Sequence, residues 1–309
     1  MTDPCVLIFR DNSAPFDGYN WHDEFAYFLS HYRVNVELMD FVEYSVVDKI
    51  VARKPVFLLW RAWHVPDDRD RDRTFIAVMN DVWGVTTYPS PEMHLPYDNK
   101  IFQYAMATKC DWSIPDTKII FSFESAINYA RTCDLPIVVK ASEGACSQNV
   151  KIISSRRNLI ELVEIIFSKK GLPLYFPGTQ MRSYIIVQQY LPIQYSWRIV
   201  CVGNKIALSG TLYAHSERTN LSPDQQWRSL EKSPANIEKL ALDITHALQW
   251  PWIALDLVEW EGKPYLLEFS SGFGFSAVNF FKQETGSPNA WIIKKMMDEL
   301  ANRHRFQPI

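Results

Sequence analysis

The chain lacks the marks of several protein classes. Its five cysteines, Cys5, Cys110, Cys133, Cys146 and Cys201, are odd in number, scattered, and form no C-x-x-C pair. That spacing argues against a disulfide framework and against a structural zinc site. No apolar run approaches the ~18 residues needed to span a bilayer. The opening MTDPCVLIFRD has neither a basic n-region nor a long apolar h-region. A reduced, cytoplasmic protein with no membrane partner is therefore expected. Basic residues are not in excess: 32 Lys and Arg stand against 35 Asp and Glu, a net charge of −3. Nothing in that balance points to nucleic acid, although a local positive patch suffices for phosphate. No G-K-[ST] step is present, so there is no Walker A loop, and neither internal repeats nor low-complexity tracts occur.

What is present suits a globular enzyme. The 309 residues suffice for about two domains, and 47% hydrophobic with 22% charged residues is close to the globular average. A chain of this length buries a large core without covalent staples. The eleven Trp are read as core and lobe-interface packing in preference to sugar stacking.

Periodicity divides the chain. CVLIF, VNVELMDF and PVFLLWRAW read as strands, and Asp23 to Tyr32 and VVDKIVARK as amphipathic helices between them. The order β-α-β-α-β predicts a parallel sheet with covering helices. The charge run DDRDRDR at 67–73 is expected to be a solvated loop or helix start rather than a substrate-facing element. TTYPSPEMHLPYDN, with three prolines, reads as a linker. Beyond it come a helix from Lys100 through Ala107, a strand in IPDTKIIFS and a helix in ESAINYARTC. The strands PIVVKAS and VKIIS, the helix NLIELVEIIFSKK and the strand YIIVQQYL follow. WRIVCVGNKIALSGTL is strand-like, NIEKLALDITHAL is helical, and ALDLVEWEGKPYLLEFS is a hairpin turning at Glu261-Gly262.

Five pieces carry chemistry. In the hairpin, Asp256 and Glu268 fall near each other across the ladder, and Ser270 shares the face of Glu268 by the period-2 rule. Carboxylates on apolar strands are costly to bury without a cation, and this donor set suits Mg²⁺. Solvated strand-edge carboxylates are the bland alternative. Lys140 closes an apolar strand and needs an anionic partner. The loop after it, with Ser142, Glu143, Gly144 and Ser147, can bring backbone N–H groups to phosphate oxygens, or be an ordinary hairpin loop. Asp98-Asn99-Lys100 opens a helix, where dipole and lysine both favour phosphate, or merely caps it. VQQYLP can line an adenine slot, Gln189 (beside Gln188) accepting from the exocyclic amine and the backbone of Tyr190 and Leu191 pairing the ring edge. It can also be simply a strand end. Arg198 is a charge on the apolar strand SWRIV, with a structural salt bridge as its plain reading.

Taken in order across 98–276, this set resembles the ATP-grasp superfamily, in particular its amino-acid ligase branch of RimK-type and D-alanine–D-alanine ligases. The resemblance covers about Pro89 to Ala277. It implies an α/β architecture with α+β lobes: an ATP-grasp fold behind an N-terminal Rossmann-like β-α-β-α-β domain. The boundaries would be 1–95, 96–185 (a central lobe with a phosphate lid) and 186–309 (a C-terminal lobe with the Mg site). ATP and Mg²⁺ are the implied cofactors. Lys100 and Lys140 match the phosphate-contacting lysines, Ser142–Gln148 the lid, and Gln189 the position usually held by Glu in the adenine hinge. Arg198 matches the arginine facing the transferred phosphate and acyl group, and Asp256 and Glu268 the Mg²⁺-bridging carboxylates. Ser270 departs from the family's Asn, which bears on a second metal; SSGFGF departs from the usual proline-glycine turn; and Ala254 replaces an arginine that some relatives carry. The implied reaction joins a small-molecule carboxylate to an amine through an acylphosphate, with 213–224 as a candidate cover. A homodimer is one assembly the resemblance allows. A kinase or a non-catalytic nucleotide-binding module would use the same ATP residues.

Overall fold

The computed structural model describes residues 3–10, 21–40, 45–61, 66–144, 149–193, 195–213, 226–229, 233–273 and 290–309. The N-terminal segment runs β1 (Cys5–Arg10), α1 (Trp21–Leu29), β2 (Asn35–Asp40), α2 (Val46–Arg53), β3 (Phe57–Leu59), α3 (Pro66–Ala77), β4 (Thr87–Tyr88) and α4 (Pro91–His94). Its four strands form a parallel sheet in the order β2-β1-β3-β4. The strands Val6–Phe9 and Phe57–Leu59 are buried as unbroken apolar runs, as a strand covered on both faces requires.

A second unit comprises α5 (Lys100–Lys109), β5 (Thr117–Ile120), α6 (Phe123–Thr132), β6 (Ile137–Lys140), β7 (Val150–Ile153), α7 (Arg156–Ile166), the short strands β8 (Leu172–Pro173) and β9 (Gln180–Met181), and β10 (Ile185–Gln189). Its antiparallel sheet has the order β5-β10-β6-β7. Leu159, Leu162, Val163 and Ile166 fall on one face of α7 and pack with Ala126, Ile127 and Ala130 of α6 over Val139 and Val187.

The third unit holds β11 (Tyr195–Val202), β12 (Lys205–Tyr213), β13 (Gln226–Ser229), α8 (Ala235–Leu248), β14 (Trp252–Trp260), β15 (Lys263–Ser270) and α9 (Ala290–Arg303). These five antiparallel strands are ordered β13-β12-β11-β14-β15. The two-residue turn between β14 and β15 has φ of 49° at Glu261 and 73° at Gly262. Two successive left-handed residues match the twist of the flanking strands, which is why a glycine stands here. The core under this sheet is continuous with that of the N-terminal sheet. Ile8, Phe25 and Phe57 belong to one cluster with Ile293, Met297 and Phe306. Each such fully buried side chain contributes roughly 1.5–3 kcal/mol, so α9 clamps the first unit to the third. Among the described residues no helix is long and apolar enough to cross a membrane.

Two sequence expectations change. The segment read as a linker contains β4 and α4, and Met93 and His94 on α4 are fully buried. The prolines shape a packed connection instead of loosening it. The charge run 67–73 opens a helix, one of its two expected forms, but it is not solvated throughout. It lies within α3, where Arg69 and Asp72 are buried along with Ile76. Positions 69, 72 and 76 recur at i, i+3 and i+7, a helical stripe that the alternating charges disguise.

His94 has a direct thermodynamic consequence. Neither ring nitrogen has a hydrogen-bond partner among the described residues, and burial, with Arg73 and Arg69 adding to it, pushes the imidazole pKa from 6.5 down to about 3. The unfolded chain therefore binds a proton that the native state refuses between those values. Stability should fall as pH drops from about 6.5 towards 3. Urea unfolding across that range should show a shallower acid limb in His94→Gln than in the parent; equal limbs would refute this origin.

Candidate active site

Three adjacent strands bring together the hairpin residues. Register pairs Arg198 on β11 with Asp256 on β14, and Asp256 with Glu268 on β15, so the three side chains form one row across the sheet. Arg198 forks onto Asp256, Nε to Oδ1 at 2.5 Å and Nη2 to Oδ2 at 2.7 Å. Such a bidentate pair is both strong and directional. Lys100 Nζ donates to Glu268 Oε1 at 3.3 Å. Each carboxylate thus faces a cation of the chain, and among the described residues no group of three or more His, Cys, Asp and Glu is gathered for a metal. The donor set still suits Mg²⁺, which needs only one or two carboxylates and takes its remaining ligands from phosphate and water. Asp256 and Glu268 lie directly opposite one another, and Glu268 is partly open to solvent. Ser270 pairs with Ala254 on β14. Its hydroxyl donates to the Gly272 carbonyl and accepts the Gly272 N–H at 3.1 Å. One lone pair remains for any further ligand.

Beside this row stand two buried lysines. Lys100 begins α5, whose first turn is capped by the Asn99 side chain accepting from Phe102 N–H. Burial opposes its charge, but Glu268 and Asp98 outweigh that and raise its pKa. Lys140 ends β6, and its Nζ donates to Tyr104 Oη at 3.1 Å. Burial first, and repulsion from Lys100 second, lower its pKa from 10.5 to about 7. Tyr104 follows Lys100 by one helical turn on the same face of α5, a spacing legible in the sequence but unread there.

The loop after Lys140 is stitched to the start of α5. Lys100 N–H donates to Ser142 O at 2.9 Å, Ser142 Oγ donates to Asn99 Oδ1 at 3.2 Å, and Ser142 N–H donates to Tyr184 Oη at 2.8 Å. Gly144 N–H donates to Asp98 Oδ1 at 2.7 Å. Gly144 has φ of 128°, and a Cβ there would sit 2.2 Å from Asn149 Nδ2, so only glycine fits. This corrects one expectation. The amides of Ser142 and Gly144 are committed to Tyr184 and Asp98 and are not aimed at a ligand. Ser147 lies outside the described residues, as do Gln148 and all of 213–224 except Tyr213.

The strand end read as an adenine hinge turns a different glutamine inward. On β10, Ile186 pairs with Lys140 and Gln188 with Val138. By strand parity Gln188 shares the Lys140 face, and Gln189 points the other way. Gln188 is buried, its Nε2 donating to Thr117 Oγ1 at 2.8 Å. Gln189 is exposed and pairs with Asp116, its backbone N–H donating to Asp116 O at 2.7 Å. The inward amide role read for Gln189 therefore falls to Gln188. Leu191 is buried, and its carbonyl accepts Ile193 N–H at 2.8 Å; Tyr190 lies between Gln189 and Leu191, just past the strand end.

Sequence reasoning missed the α3 contribution. Arg69 pairs with Asp98 Oδ2 and Glu143 Oε2, both at 3.1 Å, while Asp98, mainly through burial, has a pKa raised to about 6. Tyr97 packs against the chain beyond β15, where a Cβ on Gly272 would approach its ring to 2.8 Å. Arg61, at the carboxyl end of β3, lies over the Trp21 ring at 4.0 Å.

Comparison with known proteins places this geometry. Residues 97–287 match the RimK-like ATP-grasp domain. No curated protein sequence matches the chain. A RimK domain ATP-grasp protein of Sphaerobacter thermophilus aligns over 95% of this chain and 98% of its own, at 14% identity and a TM-score of 0.64. D-alanine–D-alanine ligase of Bacillus anthracis complexed with ATP aligns over 97% and 96%, at 14% identity and 0.62. A RiPP-associated ATP-grasp ligase of Chryseobacterium gregarium, in complex with ADP and a leader and core peptide, aligns over 97% of both chains, at 14% identity and 0.62. Identities this low speak for the fold alone. With a parallel N-terminal sheet, an antiparallel sheet carrying Lys140, a second carrying the carboxylate row, and a family match over 97–287, the chain belongs to the RimK-like ATP-grasp family.

Proposed function

We propose that this chain is an ATP-dependent carboxylate–amine ligase. The observation that carries the reading is charge placement. Lys100 and Lys140 are both buried within reach of each other's field, with Glu268 as the acidic neighbour that offsets both. A site that keeps a second ammonium against its own repulsion is arranged for an anion. The two lysines would hold nucleotide phosphates, and Gln188 with Leu191 would border the adenine. Asp256 and Glu268 would hold Mg²⁺, with the Ser270 hydroxyl as a weaker third oxygen. The metal would supply charge neutralisation between the phosphates. In the ligase reading a substrate carboxylate oxygen bonds to the γ-phosphorus as the bond to ADP breaks. An amine nitrogen then bonds to the acyl carbon as inorganic phosphate leaves. Arg198, fixed by its fork on Asp256, would stabilise charge developing on the acyl oxygen; loss of one such donor costs on the order of 10²–10³ in rate. The reading also places the protein in a reducing, ATP-containing compartment such as the cytoplasm. The free thiols of Cys5, Cys110, Cys133 and Cys201 support that.

Incubation with Mg-ATP and a panel of amino acids, dipeptides and uronic acids, followed by mass spectrometry, tests the reaction. ADP and phosphate release requiring both a carboxylate and an amine, with a product one water lighter than their sum, is the expected result. A phosphorylated product with no free phosphate would replace the ligase reading with a kinase.

A further inference from the structure

The charge run on α3 reaches into the phosphate side of this site. Arg69 is 2% exposed, and its guanidinium spreads over three carboxylates. Nε meets Asp70 Oδ1 at 3.2 Å, Nη1 meets Asp98 Oδ2 at 3.1 Å, and Nη2 meets Glu143 Oε2 at 3.1 Å. Two of these partners belong to the lysine-bearing segments: Asp98 precedes Lys100 by two residues, and Glu143 follows Lys140 by three. Asp98 spends its other oxygen on the Gly144 N–H at 2.7 Å. The contacts close a ring that runs from Arg69 to Asp98, to the Gly144 amide, through the Glu143–Gly144 peptide and back to Arg69. Asp98 itself has φ of 49°, a left-handed conformation that costs energy outside glycine and is held here by the ring. A lysine carries the same charge but cannot fork onto separate carboxylates.

We infer that Arg69 is a positioning residue: it fixes the Glu143–Gly144 backbone against Asp98 and so sets the loop after Lys140 in register with α3 of the N-terminal unit. α3 is the next helix after β3, the strand whose carboxyl end leads to Arg61, and the carboxyl ends of parallel strands are where open α/β sheets take their ligands. A ligand there that shifts α3 changes triphosphate affinity, and by linkage the triphosphate changes affinity for that ligand. This rests on the assignment of Lys100 and Lys140 to nucleotide phosphates.

The test uses the full chain as parent, Arg69→Gln, Arg69→Lys and Glu143→Gln. Hydrogen exchange is read in peptides covering 139–144, together with calorimetric affinities for AMP-PNP and for AMP in Mg²⁺. Glu143→Gln keeps the Arg69–Asp98 pair, and Glu143 is partly exposed, so this variant avoids a buried orphan charge. Glu143→Gln and Arg69→Gln are expected to speed exchange at the loop selectively and to weaken AMP-PNP by about tenfold, leaving AMP unchanged, with Arg69→Lys between parent and Arg69→Gln. Unchanged loop exchange in Glu143→Gln, or faster exchange spread evenly over the chain in every variant, would overturn the inference. Loop exchange that responds as expected in a parent that binds no AMP-PNP would uphold the positioning role and remove the nucleotide assignment.

Discussion

Replacing Lys140 with methionine should weaken triphosphate binding while making the fold more stable. The ammonium is buried, is pushed by Lys100, and among the described residues has a tyrosine hydroxyl as its hydrogen-bond acceptor. A charge-assisted phosphate contact is worth about 1.5–3 kcal/mol, so the affinity should fall by roughly 10- to 100-fold. Methionine fills a similar volume without the cost of desolvating a cation, and replacing buried ionic groups by apolar ones of similar volume is often neutral or stabilising by roughly 1–4 kcal/mol. Calorimetry and urea unfolding on the same variant read the two effects. Lost affinity with unchanged or reduced stability would show that the lysine is not strained in the free protein.

The same residue sets a pH dependence. In the folded chain Lys140 has a pKa of about 7, against 10.5 ordinarily. Between those values the unfolded state holds the proton and the native state has released it. Stability should therefore rise with pH through that window. Nucleotide affinity should run the opposite way, because the phosphates favour the ammonium: binding should take up a proton near pH 7–8 and weaken above it. Both slopes should vanish in the methionine variant. A parent whose affinity is flat from pH 6 to 9 would contradict this account.

Glu268→Gln carries the largest expected effect on turnover. It removes one of the two opposed carboxylates and leaves Lys100 without its ion-pair partner at 3.3 Å. Loss of the proposed metal ligand should exceed the roughly 10- to 100-fold typical of outer-shell changes, so turnover should fall by at least on the order of 10². The chain should stay folded, since the side chain is about one-third exposed and glutamine is isosteric. Circular dichroism and steady-state rates over a Mg²⁺ titration check both halves. Full activity would remove the metal assignment.

Much of the site was legible because its residues break local rules. Lysine or arginine closing or crossing an apolar strand, and carboxylates on ALDLV and LLEFS, are exceptions to burial preferences that a sequence displays openly. The hairpin register also followed from one turn, since Glu261-Gly262 fixes which residues oppose each other and so sets Asp256 against Glu268. The choice between Gln188 and Gln189 was not legible. Both sit at the end of one strand, and only the pairing of Ile186 with Lys140 decides which shares the lysine face.

What the sequence determined by itself was local: the elements with strong periodicity, the hairpin, and the order of charged residues along 98–276 that marks the ATP-grasp family. What only the tertiary structure decided was which charges meet. Arg198 lies 58 residues from Asp256, and Lys100 lies 168 from Glu268. Arg69 looked like part of a solvated run until α3 was packed against Asp98 and Glu143. Periodicity is written in neighbouring side chains. The pairing of distant charges, and the committing of backbone amides such as that of Gly144 to Asp98, is set by how separate units pack, because a buried charge is stable only where the fold delivers its partner.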